Sequence, residues 1–358
     1  MAVQGLILQH FRCHKQLTLT FPAVDSPQVT AIVGNNAVGK TSIVEAFALL
    51  STGESFRVEK DEEMIAFGQE LARVKTKLSD DKAGDELEVV LTRGILQGKA
   101  VQRKHYFVNA ARKRKKDFLG HFTTVVFRPE DMRLVEGSPS RRRQFVDTIL
   151  SVVHPEYGVS LTTYENALKR RNKLIDQVRD GQMPRTVLNY WTQLLLKHGS
   201  VLQERRRQFF QEFTASEFPL QFTVEYEPSI VSEERFVQYA DKEVAAGHTL
   251  IGPHKDDFMV HFLAPSGTDW LNVAQYGSRG QQRLAVLWLK LNELFYVERV
   301  VGQRPLLLLD DILSELDDEH RDQVERLLHT GQSIITTVEP DVIKGLKQKI
   351  PGLQVLQL

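Results

Sequence analysis

The sequence predicts an α/β fold whose core is split by an inserted helical hairpin, and three observations carry that expectation. Apolar, strand-like runs alternate with helical periods at both ends of the 358 residues. A glycine-rich loop joins an N-terminal strand to a helix. The middle of the chain carries apolar residues at alternating spacings of three and four, the seam of a coiled-coil-like helix.

VQGLIL, LTLTF and VTAIV, ending at Val33, read as strands, and Thr41 to Leu50 falls at helical period. ARVKTKL and DELEVVLTR alternate as half-buried strands do. In the middle, Tyr157, Leu161, Tyr164, Leu168, Arg171, Ile175 and Val178 form the seam, broken only by Arg171. After the breaker Asp180-Gly181-Gln182-Met183-Pro184, residues Leu188, Leu195, Leu202 and Phe209 recur every seventh position, as in a returning antiparallel helix. At about 1.5 Å per residue each arm reaches roughly 35 Å. The last hundred residues resume the α/β texture: apolar Leu306 to Leu309, a helix from Asp318 to Leu328, the strand SIITTV, and Pro340 opening another helix. The expected organisation is an N-terminal core half at 1–135, a helical arm at 136–246 and a C-terminal core half at 247–358.

With 42% hydrophobic and 26% charged residues the chain can bury a real core, and its scattered Gly and Pro exclude collagen, mucin-like stalks and wholesale disorder. No run approaches the roughly 18 apolar residues of a membrane helix, and MAVQGLILQHFRCHK is too short and polar for a secretory signal. A single cysteine, Cys13, allows neither an intramolecular disulfide nor a cysteine-based zinc site. His105, His121, His198 and His261 show no metal-like pairing. These features place the protein in the cytoplasm, away from membranes, with magnesium its only expected metal.

The 46 basic and 46 acidic residues balance, so a uniform cationic coat is excluded. Charge is uneven along the chain, however: Lys99 to Phe210 holds 23 Lys or Arg against 10 Asp or Glu. Its dense runs are Arg112-Lys113-Arg114-Lys115-Lys116, Arg141 to Arg143, Lys169 to Arg171 and Arg205 to Arg207. Each could be a solvated helix face, but four in one segment point to a polyanion such as DNA, with Arg112 to Lys116 the candidate contact.

Gly34-Asn35-Asn36-Ala37-Val38-Gly39-Lys40-Thr41 fits the eight-position phosphate-binding pattern, between an apolar strand and a helix. Glycines let the backbone N–H groups face the phosphates of ATP, the helix N-terminus adds positive potential, Lys40 reaches the β and γ groups, and Thr41 ligates Mg2+. Such a site needs carboxylates at the end of a neighbouring strand, and Leu306 to Leu309 followed by Asp310-Asp311 supplies them. Asp310 is read as the metal-side residue. Asp311 polarises the attacking water, where ATP-binding-cassette (ABC) enzymes usually carry Glu. Lys40 and Asp310 stand 270 residues apart, which is why the hairpin is read as an insertion. Upstream, Ser278-Arg279-Gly280-Gln281-Gln282-Arg283 precedes a helix. Ser278, Gly280 and Gln281 there form a second anion site aimed at another subunit's γ-phosphate, or else a capped helix start.

Beyond these motifs, Phe11-Arg12, Glu45-Ala46, Ser55-Phe56-Arg57, Phe127-Arg128-Pro129-Glu130-Asp131 and Gly252-Pro253-His254-Lys255-Asp256-Asp257 follow in an order that resembles the RecF family nearly end to end. These are bacterial recombination-mediator ATPases related to SMC proteins. The resemblance implies an ABC/SMC-like P-loop head and a weak DNA-dependent ATPase forming an ATP-dependent homodimer. It implies binding to double-stranded and single-stranded DNA and their junctions, with RecO and RecR as partners in recombinase loading. The processes implied are DNA replication, recombination, repair and the SOS response to DNA damage. It also makes Ser314-Glu315-Leu316-Asp317 an interface loop, with Asp317 its polar contact or simply a helix N-terminal acid. Departures are Thr337 where cassette ATPases place a γ-phosphate-sensing histidine, and a lid loop without a clear glutamine, Arg128 to Asp131 being the candidate. Gly252 to Asp257 reads as a tight turn, and Trp191 as core. A transport-type cassette subunit coupled to a membrane partner is the alternative reading.

Overall fold

The computed structural model describes residues 2–22, 28–79, 84–213, 222–264, 266–313, 321, 324–325 and 327–358. Leaving aside the paired dipeptides Ile95–Leu96 and Lys99–Ala100, its strands in chain order are β1 (Ala2–Phe11), β2 (His14–Thr20), β3 (Val29–Val33), β4 (Leu71–Ser79), β5 (Glu86–Thr92), β6 (Lys104–Val108), β7 (Ala111–Lys113), β8 (Thr124–Phe127), β9 (Phe222–Glu227), β10 (Asp257–Leu263), β11 (Trp270–Asn272), β12 (Leu306–Asp310), β13 (Ser333–Thr337) and β14 (Gln354–Gln357). The longer helices are α1 (Lys40–Thr52), α2 (Pro139–Val153), α3 (Pro155–Arg179), α4 (Asn189–Phe213), α5 (Glu233–Ala246), α6 (Arg279–Val301) and α7 (Pro340–Lys349). Asp317 and its loop, with most of the helix expected from Asp318, lie outside the described residues. Among those described, no helix is long and apolar enough to cross a membrane.

Packing divides the chain into two compact units, Met1–Asp131 with Glu293–Leu358, and Met132–Asn292. In the first unit the labelled strands form an antiparallel sheet in the order β2-β1-β4-β5-β6-β7 and a parallel sheet in the order β8-β12-β13-β3-β14, and Ile95–Leu96 with Lys99–Ala100 makes a separate two-stranded ribbon. Helix α1 packs against strands of both, which explains a sequence apolar around its whole circumference. Ile43, Val44, Ala46, Phe47, Leu49 and Leu50 are each 1% exposed or less. Burying the larger of these side chains, Ala46 aside, contributes about 1.5–3 kcal/mol apiece. β12 is buried along its length, the continuous apolar run that a central parallel strand requires. β13 pairs with both β12 and β3, so the loop after β3 and the carboxylates ending β12 meet at the same sheet edge.

In the second unit α3 and α4 form the expected hairpin. α3 buries Tyr157, Tyr164, Ala167, Arg171 and Ile175, and α4 buries Leu195, Leu202, Phe209 and Phe213. Arg171 does not interrupt this seam as a defect. It is buried, bonded to Glu243 at 2.6 Å, Thr249 at 2.7 Å and Thr192 at 3.0 Å, and so fastens α5 to the hairpin.

An antiparallel sheet β9-β10-β11, not foreseen from the sequence, keeps residues 247–292 in this unit. β10 pairs with β9 from Phe222↔Phe262 to Glu227↔Asp257, which moves the packing boundary from the expected 246 to Asn292. The segment Gly252 to Asp257 does turn, with Gly252 at φ 121°, but it also anchors the unit. Asp256 is buried and accepts hydrogen bonds from Arg206 (2.8 Å), Gln203 (3.0 Å), Tyr226 (2.5 Å) and the Ser229 amide (2.7 Å). Asp257 receives both Arg142 nitrogens at 2.7 Å.

Candidate nucleotide-binding site

The loop from Gly34 to Gly39 owes its shape to two left-handed residues, Ala37 at φ 68° and Gly39 at φ 105°. At Gly39 a Cβ would stand 2.4 Å from His14 Nε2 and 2.5 Å from Cys13 Sγ, so only glycine lets the β1–β2 turn close on the loop. His14 Nε2 lies 3.2 Å from the Gly39 carbonyl. Lys40 is 8% exposed, and its Nζ donates to the carbonyls of Gly34 (2.7 Å) and Asn35 (2.9 Å), curling along its own loop. α1 begins at that lysine, so its N-terminal amides and partial positive charge face the same space.

Asp310 sits 5% exposed at the end of β12 and its Oδ1 accepts from Thr336 at 2.6 Å and from Thr41 at 3.2 Å. Burial pushes its carboxyl above the ordinary range, against those two hydrogen bonds, while the nearby Glu130 raises it further. A buried carboxylate that is costly to ionise alone, beside a hydroxyl oxygen, is a donor set suited to a hard cation such as Mg2+. Among the described residues no group of three or more His, Cys, Asp or Glu could hold a metal ion by itself. Asp311 follows in the left-handed region at φ 56°, a conformation aspartate tolerates, and its amide donates to the Thr336 carbonyl at 3.1 Å. Thr337 is buried and its hydroxyl accepts from the Glu339 amide at 3.1 Å, closing the turn where a sensing histidine was looked for. Arg128 stacks 4.2 Å over Phe56 and is bonded to Asp131 at 2.9 Å, so this candidate lid segment is pinned by its own charges.

Lys40, Thr41, Asp310 and Asp311 open into a cavity of about 860 Å³ that Arg12, Arg57, Phe67 and Arg93 also line. That is within the usual range for a ligand pocket. Arg12 is held by Glu45 of α1, through Nε at 2.8 Å and Nη2 at 2.5 Å. Ser55 adds a 2.5 Å hydrogen bond to the same fully buried carboxylate. The blocks Phe11-Arg12, Glu45-Ala46 and Ser55-Phe56-Arg57 thus meet as one wall. Glu130, Phe67 and Arg93 were not singled out from the sequence; Glu130 stood within a recognised block, whereas Phe67 and Arg93 carried no motif signal.

Ser278, Gly280 and Gln281 belong to the second unit. The Ser278 amide donates to Gln281 Oε1 at 2.8 Å and the Gln281 amide to Ser278 Oγ at 3.3 Å, a reciprocal capping box at the start of α6. Ser278 and Gly280 are exposed, and the Ser278 hydroxyl retains its own proton to donate. Of the basic runs, Arg112 bonds Gln102, Arg114 pairs with Asp117 and Lys115 with Glu54, which leaves Lys113 and Lys116 exposed without an ion pair among the described residues. Arg142, Arg143, Arg171 and Arg206 are spent on internal partners, and Arg205 and Arg207 pair with Glu156 and Glu204.

The profile described as RecF/RecN/SMC N terminal domain matches residues 2–355. Proteins named DNA replication and repair protein RecF are similar over nearly the whole chain. That of Oceanobacillus iheyensis is 33% identical over 370 residues, covering 97% of this chain and 95% of its own, and that of Thermomicrobium roseum is 35% identical over 388 residues, covering 96% and 95%. Among solved structures, the chain is similar to the recombination mediator protein RecF-ATPrS of the RecFOR pathway, with a TM-score of 0.85, 27% identity and coverage of 100% of this chain and 96% of that one. The RecF-ATP structure gives a TM-score of 0.82 at 30% identity, covering 94% and 92%.

Proposed function

The chain belongs to the RecF family, and from that premise we propose that it is an ATP-switched DNA-binding protein of replication and recombinational repair. The observation that carries this reading is the 3.2 Å hydrogen bond from Thr41 to Asp310, which joins two stretches 269 residues apart into one phosphate and cation site. Gly34 to Thr41 wrap the triphosphate of ATP, and Lys40 exchanges the Gly34 and Asn35 carbonyls for phosphate oxygens. Thr41 and Asp310 hold Mg2+, which when bound offsets the negative charge of the phosphates. Asp311 orients the attacking water and accepts its proton. Ser278, Gly280 and Gln281 of a second copy present a hydroxyl and backbone N–H groups to the γ-phosphate, so ATP joins two copies and hydrolysis separates them.

The ATP dimer grips duplex DNA and double-strand/single-strand junctions, with Lys113 and Lys116 among its phosphate contacts, and acts with RecO and RecR in the cytoplasm as a slow, DNA-stimulated ATPase. Transport-type cassette function finds no counterpart among the named relatives. Light scattering of the full chain with ATP, ADP or no nucleotide, with and without DNA, tests the switch. Lys40→Met should abolish nucleotide binding and dimerisation together, and Asp311→Asn should hold the ATP dimer on DNA. DNA release at the parental rate by the Asp311→Asn protein would refute the assignment.

A further inference from the structure

Phe67 is 102% exposed, as open to water as a phenylalanine can be, yet it lines the same cavity as Lys40, Thr41 and Asp310. Its backbone is not loose. The Ala66 amide donates to the His10 carbonyl at 2.8 Å, Ile65 bridges to Phe11, and the Arg12 amide donates to the Met64 carbonyl at 2.8 Å. The Gln69 amide closes a turn onto the Ala66 carbonyl at 3.1 Å through Gly68 at φ 77°, and Arg93 Nε donates to the Gln69 carbonyl at 2.8 Å. A large apolar ring is thus carried into solvent on a turn clamped from both sides. The strand end that clamps it, His10 to Arg12, also grips α1 through Glu45. Ring and phosphate loop are therefore fixed to one piece of backbone, and the cavity of about 860 Å³ has room for base and sugar beyond the phosphates.

Resting on the nucleotide reading above and deepening it, we propose that Phe67 is the stacking platform for the purine base of the nucleotide whose phosphates lie on Lys40. A bare phenyl face recognises a flat ring by overlap and desolvation, so it adds affinity for purines over pyrimidines without choosing between adenine and guanine.

The test is calorimetric titration of the full chain, its Phe67→Ala variant and its Phe67→Trp variant with ATP, CTP and inorganic triphosphate, each with magnesium. Loss of base–aromatic stacking should weaken ATP binding to Phe67→Ala by roughly 5- to 150-fold while inorganic triphosphate binds as to the parent. Phe67→Trp should restore ATP affinity, and its indole fluorescence should be quenched by ATP but not by triphosphate. Parental ATP affinity in Phe67→Ala would overturn the proposal; if the ATP dimer were lost at the same time, the ring would instead face a second copy. Equal weakening of ATP and triphosphate would also overturn it, because the ring would then act only through the loop. A parent chain that binds neither ligand would bring down the nucleotide reading itself, whatever Phe67 does.

Discussion

Replacing Glu45 by alanine should be among the most damaging single changes in the first unit, by an amount the structure allows to be worked out. The carboxylate is fully buried on α1 and satisfies two Arg12 nitrogens at 2.8 and 2.5 Å and the Ser55 hydroxyl at 2.5 Å, with Arg57 at 3.7 Å. Alanine removes the charge and leaves the Arg12 guanidinium, whose side chain is only 15% exposed, without its carboxylate and with the Glu63 carbonyl (2.7 Å) as its remaining hydrogen-bond partner. Breaking a buried pair from one side costs about 3–5 kcal/mol, a fifth or more of the roughly 5–15 kcal/mol that holds a domain folded. Glu45→Gln keeps the shape but turns an amide toward the guanidinium, so it should fall short of that loss, at about 1–3 kcal/mol. In the double variant with Arg12→Ala neither charge is left alone, and the two effects should miss additivity by about 1–3 kcal/mol. Urea unfolding at neutral pH, followed by circular dichroism, reads all five proteins, the parent and the Arg12→Ala single variant included. An Glu45→Ala protein within 1 kcal/mol of the parent, or strict additivity in the cycle, would show that the wall is not held by this pair.

Gly39→Ala should abolish nucleotide binding while costing about 1–3 kcal/mol in stability, because its methyl would meet His14 and Cys13 at 2.4 and 2.5 Å and its φ of 105° suits glycine alone; calorimetry finding parental affinity would contradict this. His254 accepts from the Tyr164 hydroxyl at Nδ1 (2.8 Å) and faces the Thr249 carbonyl with Nε2 (3.1 Å), and burial lowers its pKa to about 4. The unfolded chain therefore binds that proton more readily, so this contribution is complete above about pH 6.5 and is lost as pH falls toward 4, by roughly 3 kcal/mol. His254→Gln, which can keep both hydrogen bonds, should flatten the decline in urea stability between pH 7 and 4.5, and equal slopes in both proteins would exclude His254 as its source.

The phosphate loop and Asp310 were legible because cradling phosphates fixes residue types at short, set spacings, and because a central parallel strand must be apolar along its length. The hairpin was legible for the same kind of local reason, a repeat that survives in any context. β9 and β10 were not, since a helix, α5, intervenes between them and their pairing answers to no local period. Charge counting overstates the free positive charge for a different reason. It treats every arginine as free, whereas Arg142, Arg143, Arg171 and Arg206 are consumed in holding the second unit together. Phe67, between Ala66 and Gly68, lies on no amphipathic stripe and could be found only from its exposure.

Two of the cations lining the phosphate-loop cavity are engaged in different ways, and the difference decides which can answer to nucleotide. Lys40 rests on two neutral carbonyls, at 2.7 and 2.9 Å, that belong to the loop itself. Exchanging such bonds, in which only the donor is charged, for bonds to phosphate, in which both partners are ionised, is favourable because it adds the attraction of opposite charges. Arg12 is bound to a carboxylate that no water reaches, and drawing it away would leave Glu45 buried and ionised. That costs more than one surface-exposed phosphate contact returns. On the proposed nucleotide reading Lys40 is therefore the group that moves when ATP arrives, and Arg12 the fixed post against which α1 and the Phe67 turn keep their spacing.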